Sequence, residues 1–475
     1  MDKVLAVVAV VAYTAMLAFV AVRARVAREF VDFSLARRSL PLALVFGSIA
    51  AAYVGPGFTI GFVGKGFKSG FLFWGIGLAY AVQNILVGLL VAPRLRILKD
   101  CHTLGDAIGQ KYDKKCQIIA GVISVGLCSG FSAVMANAGG VVLSDIFGLP
   151  NWASVAIVVA ITASYTTFGG LRGSVITDAF QFVVFSILIP VLLLSSILFH
   201  LDGGAATFTR EALAATAAGL RSTSTIDIVG LVAAFLLGET LIPPYVNRAL
   251  ASKTTGVSRN SFILAGIFSA VWFMAMISLG VVARNIIPSG TDEDHVLLNL
   301  VNSTMPVEGY AILLVVLMSV IMSSLNSLLN AGAIAFAEDV VKPYAKLTDR
   351  TALNVGRCAT VAIAAVAAAG ATTVPGIIKG LLICYTIWAP AILPAAIIGL
   401  WAKRPRPLAG ILSMCVGTLV AVTFQFILPS AINVPAIIPA LGSALLAYIV
   451  GHWLAGENGG ASPTLRLNVE CEGWK

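Results

Sequence analysis

The chain has 475 residues, of which 59% are apolar and only 11% charged, and it carries a formal net charge of +9. That balance excludes a soluble globular domain and a disordered chain, both of which hold far more charge for their apolar content. The excess of base needs no nucleic-acid partner, because membrane topology by itself gathers Lys and Arg into the loops on one side.

A hydrocarbon core of about 30 Å takes roughly 20 apolar residues per helix. Stretches of that kind follow one another over 3–24, 41–64, 70–93, 117–144, 151–169, 173–199, 226–247, 260–283, 307–336, 354–372, 376–401, 407–428 and 432–453. They predict an all-α polytopic membrane protein of about thirteen spans. The first stretch is too long for a cleaved leader and runs straight into a basic loop, so it is expected to be retained. Positive residues alternate along the chain. Arg23, Arg25, Arg28, Arg37 and Arg38 follow the first span, and Arg94, Arg96, Lys99, Lys111, Lys114 and Lys115 follow the third. Arg172 continues the pattern, as do the groups Arg248, Lys253 and Arg259; Lys342, Lys346, Arg350 and Arg357; and Lys403, Arg404 and Arg406. The intervening loops are poor in base: 145–151 has none and 291–295 is acidic, with Lys65, Lys68, Arg210 and Arg221 as the exceptions. The bias predicts a cell-membrane protein with its N-terminus outside and its C-terminus in the cytoplasm.

Cys101, Cys116, Cys128, Cys358, Cys384, Cys415 and Cys471 show no paired spacing, so neither a disulfide nor a metal framework is expected. His102, His200, His295 and His452 lie at predicted loops or helix ends and do not converge on a metal site. Residues 456–475 read as a short polar cytoplasmic tail, and no appended signalling domain is expected. No nucleophile-base pair, metal-ligand set or phosphate loop is present, and Gly64-Lys65-Gly66 lacks the rest of any such motif. The sequence therefore predicts a transporter and not an enzyme, with no cofactor beyond a coupling ion and no obligate protein partner.

Two apolar segments are interrupted in the same way, by Ala51-Ala52-Tyr53-Val54-Gly55-Pro56-Gly57 and by Leu237-Gly238-Glu239-Thr240-Leu241-Ile242-Pro243-Pro244. Lipid tolerates such breaks only where the freed backbone is buried or lines a cavity, and paired breaks in two halves point to a transporter's substrate site. Ionisable groups at membrane depth cost roughly 2.5 to 3.5 kcal/mol on insertion scales, which singles out Glu239 and Asp178. Glu239, inside the second break, is either a substrate group or a protonated or Arg-paired structural carboxylate. Asp178, near Arg172, is either half of a structural pair or a group on an ion path. In the run Met322-Ser323-Ser324-Leu325-Asn326-Ser327-Leu328-Leu329-Asn330 of the ninth span, the hydroxyls either bond back to carbonyls one turn earlier or ligate sodium. For the second use, Ser323, Ser324 and the Val320 carbonyl would join carbonyls freed near Ala51 and Val54 in a cage of hard oxygens.

The segment Gly169-Gly170-Leu171-Arg172-Gly173-Ser174-Val175-Ile176-Thr177-Asp178, followed by Gln181, resembles a signature of the sodium:solute symporter family. The Ser323-Ser324 run, the stretch from Arg248 to Lys253, and Phe336 to Pro343 resemble further family segments in the same order. The resemblance implies two inverted repeats of about five helices each, with broken first helices, of the amino-acid-transporter type. The expected divisions are a peripheral helix and loop over 1–40, repeats over 41–200 and 226–401, and peripheral helices over 407–453. It also implies a sodium site at Ala51, Val54, Val320, Ser323 and Ser324, with Asp178 on the release path.

Substrate identity is read from the breaks. Sugar-carrying members place amide and carboxylate side chains where this chain has Gly55, Pro56, Gly57 and Phe58, and proline carriers have an aspartate where it has Tyr53. The glycine-rich break followed by Phe58 is similar to choline-type members. Glu239, with Phe58, Trp74, Phe235, Trp272, Tyr385 and Trp388 as candidate walls, would favour an amine, quaternary ammonium or amino-acid-like solute. Gly55, Gly57 and Gly238 complete the candidate substrate set. A monocarboxylate drawn to a half-helix N-terminus, and a proton-coupled carrier using Glu239 or Asp178, are the competing expectations.

Overall fold

The computed structural model describes residues 3–23, 27–200, 204–345, 347–428 and 434–456. Arg25, Lys346, Cys471 and the tail beyond Gly456 lie outside them. The described residues form helices joined by turns and loops, with one isolated parallel bridge between Leu40 and Ser252 and no strand among them.

In chain order, α1 (Lys3–Arg23) leads through short α2 (Phe30–Leu35) to α3 (Leu42–Tyr53). The chain unwinds at Val54-Gly55 and resumes at Pro56 through a π-turn, Gly57–Gly61, into α4 (Phe62–Ser69), bent 59° from α3. Then come α5 (Leu72–Leu86), continued past a π-turn by α6 (Ala92–Arg96), short α7 (Leu104–Lys111), α8 (Lys114–Phe147) and α9 (Asn151–His200). The second half has α10 (Gly204–Ser222), α11 (Thr225–Leu237), α12 (Pro243–Ala251), α13 (Thr255–Ala283), α14 (Val296–Thr304) and α15 (Val307–Ala335). It closes with α16 (Asp349–Ala371), α17 (Ile377–Trp401), α18 (Pro407–Val422) and α19 (Ile437–Leu454). Helix starts follow the side chains that cap them. Thr103, Asp113, Ser224, Thr254 and Thr348 each accept a backbone N–H from the first turn of α7, α8, α11, α13 and α16.

Among the described residues nine helices are long and apolar enough to cross a membrane, or eleven if each of two bent pairs is one span. The count from sequence was about thirteen, and the differences have physical causes. In α1 only Val8–Leu17 qualifies as an apolar helix. The expected fifth and sixth spans form the single run of α9, kinked where Gly170 takes φ 58° and ψ −164°. That run is about 75 Å long, enough for two crossings of a 30 Å core. The seventh divides into α11 and α12, each shorter than a bilayer is thick, separated by residues 238–242.

α15 is the centre of the bundle, with 89% of its apolar stretch buried against 28% for α19. α1, α3, α8, α9, α12 and α16 surround it, while α18 and α19 pack on each other at the periphery. α4 and α13 cross with their backbones touching: a Cβ on Gly280 would lie 2.1 Å from the Val63 carbonyl oxygen, and one on Gly66 would lie 2.3 Å from that of Ile277. Small residues at such a crossing are what allow close helix contact in lipid. The two ends of the bundle are tied separately. At the base-rich end, Leu40 exchanges backbone bonds with Ala251 and Lys253, and Arg96 Nε donates to the Ser252 carbonyl at 2.5 Å. At the other, Lys65 pairs with Glu293 at 2.7 Å, and Asp294 accepts the Ile377 N–H at the start of α17. The acidic 291–295 loop thus neutralises one of the lysines that departs from the charge pattern.

At the base-rich end Asp106, on α7, accepts from Gln117 and from the His102 N–H, and burial followed by the nearby Glu338 charge pushes its carboxyl up to about 7. A carboxyl whose folded value lies above its unfolded one binds its proton more tightly when folded, so this group favours the fold as pH drops through about 7. Thermal unfolding in detergent is expected at higher temperature at pH 6 than at pH 8, with the difference reduced in Asp106→Asn. Gly280→Ala is expected to cost about 1 to 3 kcal/mol through overpacking, read as a lower melting temperature, whereas Ala at the uncrowded Gly126 leaves it unchanged.

Candidate functional site

The first break creates acceptors that the helix cannot satisfy. The donor for the Ala52 carbonyl would be the N–H of residue 56, which is proline, and that for Ala51 would be the N–H of Gly55, already past the end of α3. α15 supplies donors in their place. Ser323 Oγ stands 3.4 Å from the Ala51 oxygen and 3.0 Å from that of Val320; Ser324 Oγ stands 3.5 Å from the Ala52 oxygen and 3.3 Å from that of Val320. Ala51, Val320, Ser323 and Ser324 of the expected sodium set therefore converge. The Val54 carbonyl accepts the Thr59 hydroxyl at 2.7 Å, which leaves it one free lone pair, and the Ala52 carbonyl also faces Ser324.

Asp178 is completely buried and its partner is Arg248, with Nη2 2.7 Å from Oδ2. Sequence proximity pointed to Arg172, which is exposed. Six residues along an α-helix is about 240° around its axis, so Arg172 faces away. Arg248 in turn was grouped with loop bases on the cytoplasmic side. It lies inside α12 at 1% exposure, also bonding Ser48, Ser327 and the Pro244 carbonyl. Asn326 holds the other Asp178 oxygen at 3.2 Å.

The second break presents Glu239, whose carboxylate accepts the hydroxyls of Tyr80, Tyr245 and Tyr385. No Lys or Arg pairs with it among the described residues, which sets aside the Arg-paired reading. Leu241 in this break has φ 61°, and the Thr240 carbonyl accepts Trp388 Nε1 at 2.9 Å. A left-handed conformation at a branched side chain costs on the order of 1 to 3 kcal/mol and persists where surrounding contacts fix it.

A cavity of about 30 Å³ lies between the two breaks. Ala52, Gly55, Gly57 and Phe58 line it from the first break, Glu239, Ile242, Pro244 and Tyr245 from the second, and Ser324, Ser327 and Leu328 from α15, with Phe131, Met135 and Leu381 completing the wall. Of the candidate substrate residues, Gly55, Gly57, Phe58 and Glu239 reach the cavity. Tyr385 touches it only through Glu239. Phe235 belongs to an aromatic cluster with Phe58, Phe62 and Phe73 behind the wall. Gly238 is pressed against the Tyr385 ring, and Trp74 bonds the Ala270 carbonyl on α13. Trp272 donates to Thr59 and Trp388 to Thr240, both outside the lining. Sequence reading missed Tyr80, Tyr245, Phe131 and Ser48, and gave Ser327 only as a member of the serine run. Its place one turn after Ser323 on the same helix face is the signal that sets it beside the cage.

The sequence model of the sodium:solute symporter family matches residues 33–417. The chain is 25% identical to the sodium/glucose cotransporter of Vibrio parahaemolyticus, over 73% of its own length and 70% of that protein's. It is 23% identical to the sodium/pantothenate symporter of Escherichia coli (strain K12) over 74% of each chain, and 26% identical to a sodium/proline symporter of Staphylococcus aureus over 59% of this chain and 58% of that one. In three dimensions it resembles the substrate-bound outward-open state of a Na+-coupled sialic acid symporter, with a TM-score of 0.82 at 17% identity, covering 94% of this chain and 98% of the other. That likeness is one of fold. The solutes in these names differ and the sodium coupling is common to them. The chain belongs to the sodium:solute symporter family, as a multi-pass membrane protein and secondary transporter that couples sodium to a small solute.

Proposed function

We propose that the transported solute is a small amine or quaternary ammonium compound, and that sodium is held between α3 and α15 while the solute binds between the cavity walls beside it, which must part from their present spacing of about 30 Å³ to admit it. The observation that carries the solute class is Glu239: a carboxylate on the cavity wall with tyrosine hydroxyls for partners and no base. A bound cation would supply the missing positive charge. Phe58, Phe131 and Tyr245 offer ring faces around it, each worth about 0.5 to 2 kcal/mol as a cation–π contact. A monocarboxylate finds less. None of the lining residues is basic, and α12 begins with Pro243 and Pro244, which have no N–H to offer an anion.

The sodium assignment rests on Ala51, Val320, Ser323 and Ser324, with the Ala52 carbonyl as a further oxygen. Ala52 and Ser324 also line the cavity, so an ion held there would stiffen the wall that meets the solute. Influx of each charge also draws about 2.3 kcal/mol per 100 mV of membrane potential. Release inward through Asp178, an outside N-terminus and a cytoplasmic C-terminus, and repeats over 41–200 and 226–401 rocking against each other complete the proposal.

In proteoliposomes, the double substitution Ser323→Ala, Ser324→Ala is expected to raise the sodium concentration for half-maximal uptake by about tenfold or more, equivalent to about 1.4 kcal/mol. Unaltered sodium dependence in folded protein removes this site. Glu239→Gln keeps the hydrogen-bonding shape but not the charge, and is expected to weaken binding of a transported amine by about 30-fold or more. Equal affinity in the variant makes the carboxylate a structural group and overturns the amine reading.

A further inference from the structure

The buried ion pair stands one helical turn beyond the sodium-cage oxygens on both helices that form the cage. Ser48 lies three residues before Ala51 on α3, and Ser327 lies three after Ser324 on α15. Their hydroxyls are 2.8 and 3.0 Å from Asp178 Oδ2, with Ser174 Oγ at 3.4 Å. An anionic carboxylate ringed by hydroxyls has the chemistry of a hard-cation site. In this protein a side chain already fills it. Arg248 Nη2 lies 2.7 Å from Asp178 Oδ2 and 2.5 Å from Ser327 Oγ, Nε lies 2.6 Å from Ser48 Oγ, and Nη1 is anchored on the Pro244 carbonyl at 2.8 Å.

We infer that Arg248 is a tethered cation that closes the inner side of the sodium path, and that sodium leaves the cage only by displacing the guanidinium from Asp178. The inference rests on the cage and release path proposed above. A sodium ion moving inward from Ala51 and Ser323 meets a like charge held in the next oxygen layer, which repels it. Once the ion takes Asp178, Arg248 keeps its bond to Pro244 on its own helix. The exchange has a mechanical consequence. Arg248 and Ser48 sit on α12 and α3, whereas Asp178 and Ser327 sit on α9 and α15, so the guanidinium ties the two broken helices to the central and flanking ones. Replacing it by a mobile ion unties them, which links departure of sodium to opening of the inner side. Arg248 is in this sense a positioning residue, since it touches neither the cavity nor the cage.

The test uses the full chain in proteoliposomes and measures radioactive sodium flux with no solute present. Arg248→Gln is expected to raise that flux by about tenfold or more, and Arg248→Lys, which keeps the charge without the fork, to lie between it and the native protein. If Arg248→Gln does not fold, Asp178→Asn with Arg248→Gln leaves no unpaired charge and is read instead, with a raised flux again expected. Folded variants that hold sodium as tightly as the native protein overturn the inference. Adding Ser323→Ala and Ser324→Ala to the leaking variant separates the two readings. Loss of the leak supports passage through the cage, while a leak at full rate rejects the cage assignment and keeps Arg248 as the barrier.

Discussion

Pro56 carries no amide hydrogen, so the Ala52 carbonyl four residues earlier has no helical donor, and Ala51 loses its own where α3 ends. In water such groups would be solvated at little cost. In a hydrocarbon core each unsatisfied group costs several kcal/mol, and the chain must either remain helical or bring another polar group to the break. Here α15 brings Ser323 and Ser324 from the centre of the bundle, where α1, α3, α8, α9, α12 and α16 pack around it. The same constraint acts at the second break, where Trp388 satisfies the Thr240 carbonyl and the proline pair Pro243-Pro244 starts α12 without needing donors.

The buried charges follow from the same geometry. A carboxylate removed from water is tolerated when its lone pairs are filled, and Asp178 has a guanidinium, hydroxyls and an amide around it. Glu239 is filled differently, by tyrosine hydroxyls that supply hydrogen bonds without supplying charge. The contrast separates their roles. Asp178 is neutralised by Arg248 and couples four helices, while Glu239 has no basic partner among the described residues, which is the ground for proposing that it meets a cationic solute.

Much of this could be read in the sequence because lipid penalises exceptions. Gly-Pro and Pro-Pro in apolar stretches, a serine run in a span and carboxylates at membrane depth stand out against an otherwise apolar chain. What was misplaced depended on three-dimensional neighbours. Arg248 reads as a loop base because charge bias registers position along the chain and not burial, and Arg172 reads as the Asp178 partner because proximity in sequence ignores which helix face each occupies. Tyr80, Tyr245 and Phe131 are unremarkable aromatics until helices far apart in sequence place them about one carboxylate or one cavity. Trp74, Trp272 and Trp388 show the reverse: large rings near the breaks whose N–H groups are spent on holding helices together. Span counting failed where helices run on through a kink, as at Gly170, or stop halfway, as at Leu237.

The central claim is that sodium and solute stabilise one another across the wall formed by Ala52 and Ser324. The most direct measurement is the thermal stability of the purified protein against a panel of small amines and quaternary ammonium compounds, in sodium and in potassium at equal ionic strength. The account predicts a compound that raises the melting temperature in sodium and has little effect in potassium. Equal stabilisation by that compound in both salts would contradict it.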